Sequence, residues 1–321
     1  MEITTFKKDY LPDMAGIFIH NFKQLRSSVP TVPNLMEEPD RVIDRLSRLF
    51  DRCPGVVALA GGTVLGYMGW LIADHFRGTE RKGAYCPEWG HGAIQETRPQ
   101  VYRAMYRAAS QVWAESGFQV HALTLLAHDR PAEKVWFWNG FGLTVVDAIR
   151  STCPLGGNSS SDIYIRKATQ DDIETLAQME IEHGEHFRQP PVLMEAYKPV
   201  DAAGLSRFLD EPGNSIWLAM DGKNVMGYLR FETNNDDCVA VVRAPDNISN
   251  TGAYIRPAYR GRGAAAATLD AALRDYASQG FRRCSVDFES FNPEAAGFWI
   301  RYFEPVAYSV LRVPEREYSS G

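Results

Sequence analysis

The sequence predicts a mixed α/β protein in which one fold occurs twice. Helix-like and strand-like patterns mix without strict βα alternation, which favours a mixed sheet covered by helices. Short segments of the first half recur in the second half at an offset of about 162 residues, which indicates a duplication. The length of 321 residues agrees with two domains of ordinary size.

Three segment pairs carry the repeat in the same order, at offsets of 161, 163 and 162 residues. These pairs are Val64–Met68 with Val225–Leu229, Ala114–Phe118 with Ala277–Phe281, and Val145–Arg150 with Ala307–Arg312. A run rich in Gly, Pro and Ser lies between the copies and has the composition of a linker. We therefore predict a first domain at 1–152, a linker at 153–161 and a second domain at 162–321.

Each half is predicted to open with a short strand and a capped helix. In the second half the strand is Ile163–Arg166, and Thr169 with Asp172 three residues later resembles a capping box. A hairpin follows, then a strand, a long helix, a strand, a short helix and a last strand. In the first half we expect the cluster Trp136-Phe137-Trp138 to serve core and inter-domain packing.

One uncharged stretch, Cys53–Ala73, is long enough to raise the question of a membrane span. Gly61-Gly62 lies between two β-rich runs within it, which is typical of a hairpin turn. The repeat places this stretch opposite Ile216–Met226, whose turn carries charged residues. We predict a hairpin and no membrane partner.

Composition indicates the cellular compartment and the classes of partner that this protein can bind. With 34 Lys and Arg against 40 Asp and Glu, the net charge of −6 disfavours nucleic acid and weakly favours a cationic substrate. The five cysteines are scattered and form no CxxC motif, which argues against a disulfide framework and a zinc site. The N-terminus has no secretory pattern, so we predict a cytoplasmic protein, either a monomer or a homodimer.

The most informative segment is Ala253–Leu273, where a strand-like run ends at Pro257 and a glycine turn opens into a helix. The first turn of a helix has unpaired N–H groups and a partial positive charge. Gly261 and Gly263 let the backbone approach a ligand closely, while Arg260 and Arg262 add full charges. The segment therefore predicts a pyrophosphate site.

Two protein classes use such a turn. Gly261, Gly263 and Ala266 satisfy the dinucleotide pattern GxGxxG/A, and Asp287 lies where a ribose acid would be. Only about 55 residues follow, too few for the further βα units of a doubly wound sheet. The run Ile255–Ala265 closely resembles the signature of the GNAT superfamily of acetyl-CoA-dependent acyltransferases. Its defining positions are occupied by Arg260, Gly263 and Ala265.

The resemblance extends from Asp162 to Arg312 and implies a mostly antiparallel twisted sheet whose strands splay apart to admit acetyl-CoA. By this resemblance, Asn292 contacts the cofactor arm; it also has the sequence position of a helix N-cap. Tyr254, Ile255 and Arg256 would flank the pantetheine arm. The pyrophosphate would lie on the backbone N–H groups of Arg260, Gly261, Arg262, Gly263, Ala264 and Ala265.

The implied reaction is direct transfer of an acetyl group to a primary amine of a small molecule or peptide. The family often has a tyrosine acid seven residues after the Asn, but this sequence has Trp299 there. Tyr302, one turn further on, could substitute, or the thiolate could take a proton from water. Asp287 and Glu289 alternate along a strand and are candidate bases, or merely solvated residues if that face is the surface.

The acceptor pocket of the family borders the segment after the first helix, so His183, Glu185 and His186 are candidate substrate contacts. No third ligand accompanies the two histidines, and no metal is predicted. The first half lacks the turn: Gly90-His91-Gly92 lies well before Pro99, and we expect no acetyl-CoA there. A non-catalytic acyl-CoA sensor or interaction protein is the alternative function.

Overall fold

A computed structural model describes residues 1–53, 55–156, 163–233 and 238–315. The first half contains β1 (Glu2–Thr5), α1 (Leu11–Ser28), α2 (Pro39–Arg52), β2 (Gly55–Ala60), β3 (Thr63–Gly69), β4 (Leu71–Ala73), β5 (Gly83–Cys86), β6 (His91–Ala93), α3 (Arg98–Glu115), β7 (Val120–Leu126), α4 (Arg130–Trp138) and β8 (Gly142–Ser151). The second half contains β9 (Tyr164–Lys167), α5 (Ile173–Arg188), α6 (Ala202–Asp210), β10 (Ser215–Asp221), β11 (Asn224–Glu232), β12 (Asn247–Ile255), α7 (Ala264–Ser278), β13 (Arg283–Glu289), α8 (Pro293–Tyr302) and β14 (Glu304–Arg312).

The chain divides into two compact units. Unit 1 holds Met1–Asp147, Val239–Val242 and the C-terminal segment from Pro305. Unit 2 holds Ala148–Cys238 and Arg243–Glu304. Both units are mixed sheets with helices, which confirms the predicted fold class.

In unit 1 the strands form two runs, β1-β2-β3-β6 and β4-β5-β7-β14 followed by the start of β8. The hairpin of β2 and β3 pairs antiparallel around Gly61 and Gly62, both with positive φ, so the uncharged stretch is a hairpin as predicted. Helix α3 packs Tyr106 and Trp113 into the core of this unit. Of the aromatic cluster on α4 only Trp136 is buried; Phe137 and Trp138 are exposed, so core packing was wrong for these two residues.

In unit 2 the strand order is β8-β13-β12-β11-β10-β9, entered by the last residues of β8. Strands β9 to β12 pair antiparallel, while β12 and β13 run parallel. Leu218 packs with the residues of α5 and α6, and its neighbour Ala219 packs with Ala264 of α7. Because successive strand side chains point to opposite faces, the helices cover both faces of this sheet.

The compact units differ from the contiguous domains 1–152 and 162–321. Strand β14 pairs antiparallel with β7 from Ala307↔Leu126 to Arg312↔His121, so its packing places it in unit 1. Of the proposed linker, residues up to Gly156 are described, and the Leu155 N–H donates to Asp270 Oδ1 at 2.7 Å; residues 157–161 lie outside the described residues. The extent of the duplication itself stays a prediction.

Within the described ranges, no helix has the length and apolar character needed to cross a membrane. No two of the five cysteines are joined by a disulfide.

Candidate functional site

A cavity of about 420 Å³ opens in unit 2 where β12 and β13 part. The parallel pairing ends at Asn250↔Val286, yet β12 continues to Ile255. At the same point the register between β11 and β12 shifts between Arg230 and Phe231, which leaves an extra residue in β12 and bends this strand. The resulting gap between the strands is the splay that the resemblance implies.

The glycine turn closes one end of this cavity. Gly261 has a φ of 74° and Gly263 a φ of 85°, and Gly263 is the N-cap of α7. A Cβ on either residue would meet no atom within 4 Å, so the turn requires glycine for its left-handed backbone and not for lack of space.

The start of α7 supplies backbone donors to the cavity. Ala264, Ala265 and Ala266 line it, and the Ala267 N–H already bonds to the Gly263 carbonyl at 3.0 Å within the helix. The N–H groups before Ala267 have no intrahelical acceptor, as at any helix start. Their position at the positive end of the helix dipole suits an anion such as a pyrophosphate.

Of the three arginines assigned to the cofactor, Arg260 lines the cavity, and its Nη1 lies 3.6 Å from Glu294. Arg262 lies outside the lining, bonds to Asp221 at 3.1 Å and covers the Tyr259 ring at 5.5 Å. Contacts with other protein side chains therefore hold Arg262 away from the cavity.

Arg256 likewise lies outside the lining. It makes two bonds of 2.9 Å to Glu182 on α5, and the Glu182 carboxylate raises the guanidinium pKa. This pair connects the end of β12 to the helix that carries His183.

Helix α8 forms the opposite wall. The side chain of Asn292 accepts a bond from the Ala295 N–H at 3.4 Å, so it caps α8 as predicted, and it also lines the cavity. Trp299 is 3% exposed and packs edge-on against Phe303, which is a core role. Tyr302 lines the cavity and packs on Phe298 at 5.2 Å.

The two carboxylates on β13 are not part of the cavity lining. Asp287 is exposed and Glu289 is half-buried. The structure therefore does not bring either candidate base to the wall where Tyr302 and Asn292 lie.

A different carboxylate, which the sequence analysis missed, lies behind the wall. Glu180 on α5 is 1% exposed and accepts a hydrogen bond from the Tyr228 hydroxyl and one from the Val200 N–H at 3.2 Å. Arg230 lies 3.7 Å from the carboxylate. The sequence signal is the spacing of Glu180 and His183, three residues apart on the buried face of one helix.

His183 lines the cavity and belongs to the same cluster. Its Nδ1 lies 3.3 Å from the Tyr228 hydroxyl, and its ring stacks on Tyr254 at 5.2 Å. Burial is the main cause that lowers the pKa of His183 to about 3, so the ring is neutral at neutral pH. His186 also lines the cavity, whereas Glu185 is exposed outside the lining.

No group of three or more His, Cys, Asp or Glu side chains in the described ranges is arranged to hold a metal ion.

In unit 1 a buried arginine lies at the start of α3. Arg98, the first residue of α3, is 2% exposed and bonds to Asp129 at 2.7 Å and to Asn21 at 2.5 Å. The cavity beside them is only about 10 Å³. Glu96, two residues before Arg98, is exposed.

Comparisons with known proteins agree with this geometry. Residues 178–303, which include the turn, α7, α8 and the cavity, match the model of the acetyltransferase (GNAT) family. The chain carries a GNAT acetyltransferase domain. The match confirms the predicted acyltransferase of the GNAT type for residues 178–303. A search of curated proteins returned no significant match.

Solved structures extend the fold likeness to both units. A GCN5-related N-acetyltransferase from Sphaerobacter thermophilus aligns with a TM-score of 0.58 at 13% identity, over 98% of this chain and 97% of that chain. A GCN5-related glucosamine N-acetyltransferase region of a fungal multi-domain GH3 β-N-acetylglucosaminidase aligns with a TM-score of 0.54 at 14% identity, over 97% of this chain and 38% of that chain. Identities this low show the fold alone.

Proposed function

We propose that this GNAT domain transfers the acetyl group of acetyl-CoA to a primary amine of a small molecule or peptide, in the cavity between β12 and α8. The observation that carries the proposal is the glycine turn at Gly261 and Gly263, which leads the chain into the first turn of α7 at the cavity edge. Backbone donors at this place suit the pyrophosphate of the cofactor.

The cofactor arm would follow β12 from this turn. Tyr254 and Ile255 line the cavity on that side, and Asn292 and Tyr302 line it on the other. An extended arm held there would bring its thioester into the gap between the strands, where a neutral amine could attack the carbonyl carbon. The leaving thiolate would then take a proton from the Tyr302 hydroxyl or from water.

Binding of acetyl-CoA tests the location of the site. The double variant Arg260→Glu with Gly263→Glu puts negative charge at the turn and should abolish binding measured by titration calorimetry. Arg274→Glu also replaces an arginine with a glutamate, near the other end of α7, where Arg274 is exposed and pairs only with Asp270 among the contacts described, and this variant should bind normally. Equal affinity of both variants would refute the site.

Release of free CoA thiol in the presence of a panel of primary amines tests the reaction. An acetyltransferase releases thiol only when an acceptor is present, whereas an acyl-CoA sensor binds the cofactor without releasing thiol. Binding with no release across small-molecule and peptide amines would favour the sensor.

A further inference from the structure

The buried cluster of Glu180, Tyr228 and His183 forms a continuous hydrogen-bonded chain that reaches the cavity. Tyr228 donates its single proton to Glu180, whose carboxylate can only accept. The tyrosine oxygen must therefore accept the hydrogen bond from Nδ1 of His183. This fixes the ring as the Nδ1–H tautomer and leaves the lone pair on Nε2.

The aromatic side chains around His183 leave the Nε2 lone pair free to accept a proton. The His183 ring packs on Phe187 at 4.6 Å and on Tyr254 at 5.2 Å, and within the described ranges no hydrogen-bond partner contacts Nε2. An imidazolium held among these rings would be poorly solvated, in agreement with the lowered pKa of His183. When Nε2 accepts a proton, the ring should therefore release its Nδ1 proton to Tyr228, because the charged imidazolium is unfavourable here.

We propose that His183, Tyr228 and Glu180 are the proton relay of the acetyl transfer, with His183 as the catalytic residue and Tyr228 and Glu180 as positioning residues. This inference rests on the proposed function and adds the missing proton acceptor to it. It replaces Asp287 and Glu289, which do not line the cavity.

The step balances as follows. The amine nitrogen forms a bond to the thioester carbonyl carbon and gives its proton to Nε2 of His183. The Nδ1 proton moves to the Tyr228 oxygen, and the Tyr228 proton moves to Glu180 Oε1. The C–S bond breaks, the electron pair leaves with the sulfur, and the thiolate takes a proton from Tyr302 or water. After the products leave, the Glu180 proton returns to solvent by the reverse path, and Tyr302, where it gave the proton, takes one back from solvent.

The exchange keeps every hydrogen bond of the chain and only reverses its direction. Glu180 gains a proton and becomes neutral, while His183 stays neutral in its other tautomer, so no imidazolium remains. Arg230, which faces the carboxylate at 3.7 Å, keeps its bond of 2.7 Å to the Thr251 carbonyl when the carboxylate is protonated.

Tyr228→Phe removes the middle of the relay and keeps the ring in the core. The matched control is Tyr197→Phe, because the Tyr197 hydroxyl also approaches Glu180, at 3.5 Å, but lies outside the chain to His183. We expect Tyr228→Phe to lower kcat by roughly 100-fold or more, with the KM for acetyl-CoA within about twofold. Tyr197→Phe should keep kcat within about twofold.

Two further measurements separate a relay from a packing role. His183→Ala should lose activity and regain part of it when imidazole is added, because free imidazole can accept the proton in the vacated space. In the unmodified chain, ¹⁵N NMR should show the Nδ1–H tautomer of His183. Melting curves followed by circular dichroism identify any variant that loses its fold, and the NMR result holds without a variant.

The outcomes distinguish the two proposals. If the unmodified chain acetylates an amine but Tyr228→Phe keeps kcat within about twofold, or if His183 is the Nε2–H tautomer, the relay is overturned and the proposed function stands. If the unmodified chain acetylates no amine, the proposed function and the relay both fall. A large loss of kcat in Tyr228→Phe, with kcat kept in Tyr197→Phe, supports the relay.

Discussion

Asp129→Ala should lower the free energy of unfolding far more than the loss of a helix cap alone would. Asp129 Oδ1 caps α4 by accepting the Ala132 N–H at 3.1 Å, and its other oxygen bonds to Arg98 at 2.7 Å. The Arg98 and Asp129 side chains are only 3% and 7% exposed, so the variant leaves a buried guanidinium without its counter-charge. Loss of the cap costs about 1 kcal/mol, and breaking a buried ion pair costs roughly 3–5 kcal/mol more.

Asp201→Ala provides the matched control for this prediction. Asp201 caps α6 by accepting the Gly204 N–H at 2.7 Å, and it is exposed. Its loss should cost only about 1 kcal/mol in the free energy of unfolding. Urea unfolding of both variants gives the comparison, and equal losses for the two would refute the view that the buried ion pair stabilises unit 1.

Three further predictions concern the pH response and the cofactor. Burial lowers the pKa of His183 to about 3 and those of His91 and His121 to about 4, so the unfolded state binds protons first as the pH falls below about 6.5. Each of these three histidines should lower the free energy of unfolding by roughly 1–2 kcal/mol at pH 5 relative to pH 7. Urea midpoints that stay constant from pH 7 to pH 5 would contradict this. Tyr302→Phe should lower kcat at least tenfold in a thiol-release assay while acetyl-CoA affinity is kept; an unchanged kcat would assign the thiolate proton to water. Calorimetry should find one acetyl-CoA per chain, since the buried Arg98 at the start of α3 is paired with Asp129 and the cavity beside this pair is only about 10 Å³, and a stoichiometry of two would contradict that view.

Local patterns were enough to predict much of the fold. The glycine hairpins, the Thr169 capping box, the Asn292 cap and the glycine turn before α7 each depend on residues within a few positions of one another. These features follow from backbone dihedral preferences and from the unpaired groups at helix ends, which neighbouring residues satisfy. A single sequence therefore contains the information that specifies them.

The contacts that the sequence did not predict join distant segments. Strand β14 pairs with β7 across more than 180 residues, and Tyr228 reaches Glu180 from another element of the fold. In the same way, Arg256 points to Glu182 and not into the cavity. No spacing rule relates such residues, because their proximity depends on how the strands and helices pack.

The sequence repeat and the glycine turn before α7 can be read from the sequence because both are short-range patterns; the duplication of the fold and phosphate binding at the turn stay predictions. Which charged groups meet depends on how the helices and strands pack. The packing brings Glu180 behind His183, leaves Asp287 exposed, and buries Arg98 at the start of α3. These outcomes differ because the charge state and hydrogen bonds of a buried polar group depend on the neighbours that burial gives it.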